Sequence, residues 1–372
     1  MSFTPRVVKI LVLCLILVCQ PVFADQAAEI AASLNDSDLV AQILLTGIEG
    51  RQSLTPAMKA LLERYPVGGI MLFRYNLDTS KGDVKALLSA SAALVAERTG
   101  IPPFMAVDHE GGLVHRFGTV AERLPSAFSF WELAQRESRD AAIERAENRY
   151  TGSSKEIKEL GINMVLGPVA ETFNEDNKYF LETRSYGPDA DFVRAAASAY
   201  IKSMDSAGIA SVVKHFPGNT NTDPHTGSSV LKKERLELDE MVRPFAGIIR
   251  DLEPPAIMLS HVMVQTLDSK RNASLSRAII EDWLRAELGF NGIVIADDFS
   301  MGAVSATGLN HEAAAVEALN AGVDQIMVWP HNIASVHASI LKALGDDRLR
   351  RERLLEAASR IIKEKIRYGL LN

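Results

Sequence analysis

Cysteine is nearly missing from this chain of 372 residues: Cys14 and Cys19 are the only two, and both fall within the first 24 positions. Once that stretch is removed, no thiol nucleophile, disulfide or Cys-ligated metal is available. Positive charge is also short, since 40 Lys and Arg stand against 47 Asp and Glu, a formal net charge of −7. Nucleic acid is excluded as a partner on that ground, because phosphate binding needs clustered cations. The basic stretch Arg348–Arg353 lies in helical C-terminal sequence and reads as a solvated face. No Pro/Ser-rich linker, low-complexity tract or solenoid-type repeat divides the chain. No Gly-x-Gly-x-x-Gly follows an apolar run, which speaks against a dinucleotide site.

The first 24 residues read as a signal peptide. Arg6 and Lys9 form a positive n-region, Ile10–Val18 is an apolar h-region, and Val22-Phe23-Ala24 is a small-residue cleavage site. Cleavage after Ala24 removes Arg6 and Lys9 and takes the net charge from −7 to −9. The expected mature chain, 25–372, is exported to the periplasm or secreted and keeps no membrane span. An uncleaved anchor and lipidation at Cys19 are the alternatives; Val18 is bulky for a lipoprotein signal.

What is abundant is a rhythm. Short apolar runs recur at Gln42–Ile48, Gly68–Phe73, Phe104–Val107, Ile162–Gly167, Ala210–His215, Ala256–His261, Gly292–Ala296 and Asp324–Trp329. Such runs suit strands buried on both faces, as in parallel sheets. Helical patterns lie between them, among them Asp83–Arg98, Asp191–Ala207, Arg277–Leu288 and His311–Ala321. A charged terminal helix, Asp347–Lys365, carries Leu354, Leu355, Ile361 and Ile362 as its apolar stripe. Eight alternating units predict an α/β fold, a single-domain (β/α)8 barrel of TIM type; an open doubly wound sheet is the competitor.

A barrel places its chemistry where strands end. The polar groups there are Arg74 and Asn76, Asp108-His109-Glu110, Lys214-His215, Ser260-His261 and Asp297-Asp298. Asp297 and Asp298 could supply a nucleophile, base or metal ligand, or one could cap a helix at Phe299–Ala303. We expect one catalytic and one structural carboxylate. Asp223 and His225 are two apart, so in extended chain they share a face and the carboxylate can orient the imidazole as an acid/base pair. A plain surface turn would look the same. Lys214 and His215 suit hydrogen bonds to a polyhydroxylated ligand. Asp108 and Arg116 flank the flexible pair Gly111-Gly112.

Five ordered segments then resemble glycoside hydrolase family 3, in its single-domain β-N-acetylglucosaminidase (β-N-acetylhexosaminidase) branch. They are Gly68–Phe73, Ala106–Phe117, Thr183-Arg184-Ser185-Tyr186-Gly187, Lys214-His215-Phe216-Pro217-Gly218 and Ile295–Met301. The resemblance implies Asp297 as nucleophile and His225 as acid/base, with Asp223 as its partner on a mobile loop. It implies that Asp108, Arg116, Arg184, Lys214 and His215 hold the sugar and that Met301 lines its pocket. No metal or organic cofactor is implied, and a monomer is expected. The reaction implied is two-step retaining hydrolysis of terminal β-linked N-acetylglucosamine from cell-wall fragments or chitooligosaccharides.

Three departures from the family pattern stand out. The loop from Lys214 to Asp223 is about two residues short, with Asn219-Thr220 where His-Gly is usual. Pro224 replaces Ser between the Asp and the His, which stiffens the loop. Ala170-Glu171 replaces Leu-Asp. Rival readings are a non-catalytic sugar-binding barrel, β-glucosidase-type specificity, phosphorolysis, and a metal-dependent barrel hydrolase. The last lacks a His in its first strand run, Gln42–Ile48.

Overall fold

Strands that are apolar on both faces can be satisfied by helices outside and side chains inside, and this is how the chain folds. The computed structural model describes residues 24–371. Eight strands form the centre: β1 (Leu44–Gly47), β2 (Gly69–Leu72), β3 (Phe104–Gly111), β4 (Met164–Val169), β5 (Ala210–Phe216), β6 (Ala256–Leu259), β7 (Ile293–Ala296) and β8 (Gln325–Val328). Sequential neighbours pair in parallel throughout, and β1 pairs with β8, so the sheet closes into the expected TIM-type barrel. β1, β2, β4, β5, β6 and β7 are buried along their whole length.

Caps decide where the crossover helices begin. The Asp189 side chain accepts from the Phe192 N–H, so the helix anticipated at Asp191–Ala207 runs over Ala190–Ser206. Ser80 does the same for Lys81–Thr99, which ends where Gly100 takes φ +71. β3 is longer than its apolar core indicated. Its end bends into a hairpin in which His109 pairs with His115 and Gly111 with Val114. That hairpin turns the chain back and brings Arg116 over Asp108.

The terminal helix, Arg351–Arg367, packs Leu354, Ile361 and Ile362 into the core. Its charges are not all solvated, contrary to the expectation for this basic stretch. Asp324, at the start of β8, is fully buried and takes Arg353 and Arg360 from this helix at 2.7 and 2.9 Å, and Arg285 at 2.6 Å. A buried carboxylate must be paired, and it draws the guanidinium groups inward. Lys365 of the same helix is buried as well, with its Nζ 3.0 Å from Gln42 Oε1.

The expected n-region, h-region and both cysteines lie outside the described residues; residues 24–33 form a helix. Among the described residues no helix is long and apolar enough to cross a membrane.

Candidate active site

Residues i and i+2 of a strand project from the same face. Asp108 and Glu110, at the end of β3, do so, and both meet Lys214 from the end of β5. The Lys214 Nζ lies 2.8 Å from Asp108 Oδ1 and 2.6 Å from Glu110 Oε1. Arg116 reaches Asp108 Oδ2 at 3.0 Å. Arg184 grips Glu110 with two parallel bonds, of 2.7 and 2.9 Å. Five charged groups from β3, its hairpin, the β4 loop and β5 thus form one cluster at the mouth of the barrel.

The cluster holds its own ionisation. Burial alone pushes the Asp108 and Glu110 carboxyls up, but Lys214 with Arg116, and Lys214 with Arg184, outweigh it and hold both below their ordinary values. Burial likewise opposes the charge on Lys214, and the two carboxylates reverse that and raise it.

His215 follows Lys214 directly, and its Nδ1 lies 2.6 Å from Glu171 Oε1. Two neighbours on one strand find polar partners on different elements because the β5–β6 register slips between Lys214 and Phe216. Sequence reasoning named Glu110 among the strand-end groups and Glu171 as a departure from the family pattern, but gave neither a role in the site. The two-residue spacing from Asp108 was the available signal for the first. For the second it was an acid just beyond the end of β4.

Asp223 and His225 form a pair: the His225 backbone N–H donates to Asp223 Oδ1 at 2.9 Å and the ring Nδ1 lies 2.7 Å from the same oxygen. Both side chains are more than half exposed, at 52% and 63%. Partial burial pushes the Asp223 carboxyl up, but the bonds from His225 outweigh it and hold it below its ordinary value. The shortened loop is held at three places. Its root, Asn219, donates to Glu171. Its middle, Asn221, accepts from the Tyr179 N–H and donates to the Glu175 carbonyl, at 2.8 and 2.7 Å. At the tip, the Gly302 and Ala303 N–H groups donate to the His225 and Pro224 carbonyls, at 3.1 and 3.0 Å.

That tip contact joins the pair to the loop after β7. Asp297 Oδ1 accepts from the Asp298 N–H at 2.8 Å, while the Asp298 carboxylate accepts from the Ser300 N–H at 2.8 Å and from Trp329 Nε1 at 2.6 Å. The two acids therefore differ: Asp298 braces its turn, and Asp297 is half-buried at the end of the strand. The short helix here is Gly302–Ser305, and neither acid caps it. Met301 is buried immediately before that helix. His261, at the end of β6, bonds Ser274 and the Asp298 carbonyl, and burial lowers its pKa. A cavity of about 410 Å³ lies elsewhere, on the outer helices, lined by residues such as Lys81, Arg149 and Glu156.

The chain as a whole is similar to known proteins. The sequence pattern described as "Glycosyl hydrolase family 3 N terminal domain" matches residues 38–363. A β-hexosaminidase from Methylococcus capsulatus is 34% identical over 286 residues, covering 74% of this chain and 79% of its own. β-Hexosaminidase A from Pseudoalteromonas piscicida is 29% identical over 84% of this chain, which spans only 55% of that longer protein. A family 3 β-N-acetylglucosaminidase from a Paenibacillus species superposes with a TM-score of 0.85 at 28% identity, over 91% of this chain and 63% of its own. On the strength of that family match and the closed barrel, the chain belongs to glycosyl hydrolase family 3 and groups with its β-hexosaminidases.

Proposed function

We propose that this chain is an exported β-N-acetylhexosaminidase that removes terminal β-linked N-acetylglucosamine, from cell-wall fragments or chitooligosaccharides, by a two-step retaining mechanism. The observation that carries the reading is the His225–Asp223 pair, oriented at 2.7 Å and docked through its loop tip onto the segment that follows Asp297. Export rests on the leader-like first 24 residues, and the sugar rests on the relatives' activities.

In the first step Asp297 attacks the anomeric carbon while His225 protonates the leaving oxygen. Asp223 holds the ring through Nδ1, which leaves Nε2 to carry the transferred proton, and its negative charge stabilises the imidazolium. Water then releases the sugar, with His225 acting as base. Two carboxylates are the usual pair for this chemistry. An imidazole in place of one avoids like-charge repulsion beside the nucleophile. Asp108, Arg116, Arg184, Lys214 and His215 hold the sugar hydroxyls, with Met301 lining the pocket. Every group comes from one chain, so a monomer suffices.

The test is release of nitrophenol from its β-N-acetylglucosaminide and β-glucoside. Turnover of the first only is expected, with Asp297→Ala reducing it by about 10³-fold or more and His225→Ala by about 10²-fold or more. A wild type that binds N-acetylglucosamine yet turns over neither substrate would make it a sugar-binding barrel. Retention is read from the anomer first formed. An intact Met1 on the native protein would remove export.

A further inference from the structure

Glu171 touches three separate parts of the site. Its Oε1 lies 2.6 Å from His215 Nδ1 and accepts from Asn219 Nδ2 at 2.9 Å; its Oε2 accepts from the Asn219 N–H at 2.6 Å. Its carbonyl accepts from Ser185 Oγ at 2.7 Å, next to Arg184. Its side chain is 2% exposed, and its neighbour Ala170 donates a backbone bond to the Lys214 carbonyl at 2.8 Å. A carboxylate has only acceptors, so the ring proton of His215 must sit on Nδ1 and its Nε2 must be the acceptor when the ring is neutral.

We propose that Glu171 is a positioning residue: it sets the orientation and tautomer of His215 and pins the root of the shortened loop that presents His225, with Asn219 as its matched partner. The Glu171 side chain spans from His215 to both donors of Asn219. A loop short of residues has less slack, and a fixed root transmits its position to Asp223 and His225. Glu171 reaches the substrate only through these two histidines. The inference rests on the reading that His215 contacts the sugar and His225 moves the proton.

Glu171→Gln is the informative change. It places an amide donor against at least one donor, because His215 Nδ1–H and both Asn219 groups converge on the two carboxylate oxygens and the amide keeps only one of them. Loss of kcat/KM by about tenfold to a hundredfold is expected, since small misplacements of this kind cost that much. The share that passes through His215 raises KM, and the share that passes through the loop root lowers kcat. Glu171→Asp recovers part of the loss. Asn219→Ala added to Glu171→Gln costs little more, because the pair acts as a unit. The second readout needs no turnover. Nitrogen-detected NMR of the His215 ring shows a protected Nδ1 proton in the wild type and a tautomer mixture in Glu171→Gln. Wild-type kcat/KM together with an unchanged His215 signal in Glu171→Gln would overturn the proposal. So would a lowered melting temperature as the only change, which marks a purely structural role. If the wild type proves inactive, the glycosidase reading falls while the NMR comparison still decides the role of Glu171.

Discussion

The two ends of the barrel each bury a cluster of charge, and they are built to opposite purposes. At the N-terminal end Asp324 is fully buried, takes three arginines, and also accepts from the Val294 N–H at 2.9 Å. Every lone pair faces protein, and the cluster is closed. At the C-terminal end Asp108 and Arg116 keep 17% and 35% of their side-chain surface, while Glu110 and Lys214 beneath them keep 3% each. The lower half of that cluster is locked and its upper half is open to a ligand. Similar residues make a brace around a fully buried carboxylate at one end and a partly open cluster at the other; what differs is whether the carboxylates keep access to water.

Substitutions should separate the two roles. Asp297→Ala, at the open end, is expected to abolish turnover with little change in stability, as assay and thermal melt run together would show. Asp324→Asn, at the closed end, leaves three partly buried guanidinium groups facing a neutral amide and is expected to cost about 3 kcal/mol. Its folded fraction should keep wild-type kcat/KM; if kcat/KM falls too, the ends are not independent. Arg116→Ala should show the reverse. Being partly exposed, it is expected to cost about 0.5 kcal/mol of stability, while turnover of the N-acetylglucosaminide falls by about tenfold, the worth of one charge-assisted bond.

The carboxyls of Asp108, Glu110 and Asp324 are all held below their ordinary values. Their contribution to stability is therefore complete above the ordinary glutamate value of 4.5 and drains away as the pH falls below it. Melting temperature against pH checks this, and Glu110→Gln should flatten the acid limb. Lys365 has the opposite sense. Burial pushes its ammonium down to about 7 from 10.5, so its burial costs most below pH 7 and is relieved as the pH rises toward 10.5. Lys365→Met is thus expected to be stabilising by about 1 kcal/mol at acid pH, with the gain shrinking in alkali.

Much of the barrel was legible because a strand buried on both faces writes a continuous apolar run, and all eight runs became strands at shifted bounds. The boundary errors have local causes. Side-chain caps at Ser80 and Asp189 start helices earlier than periodicity indicates, and the Asp108–His115 hairpin lengthens β3 because cross-strand pairing leaves no apolar signature. In the site, sequence reasoning paired Asp223 with His225 through an extended segment, whereas the pair forms inside a turn in which the Thr226 and Gly227 N–H groups donate to the Asp223 carbonyl. The Glu171 contacts to His215 and Asn219 bridge more than forty residues, and nothing local announces them. The same is true of Lys214 between Asp108 and Glu110: the acids are two apart, but their cation comes from a different strand.

Gly302 lies where two main-chain segments meet closely. A Cβ placed there would lie 3.0 Å from the His225 carbonyl oxygen and 3.0 Å from the Thr226 carbonyl carbon, both main-chain atoms, so the segments would have to part by a few tenths of an ångström. The missing methyl is therefore a spacer of zero thickness between the segment that carries His225 and the segment that carries Asp297. Chain that contributes no chemistry sets the gauge of the site. Widening that gauge by one carbon, with Gly302→Ala, would retune the distance across the scissile bond while every reacting group kept its identity.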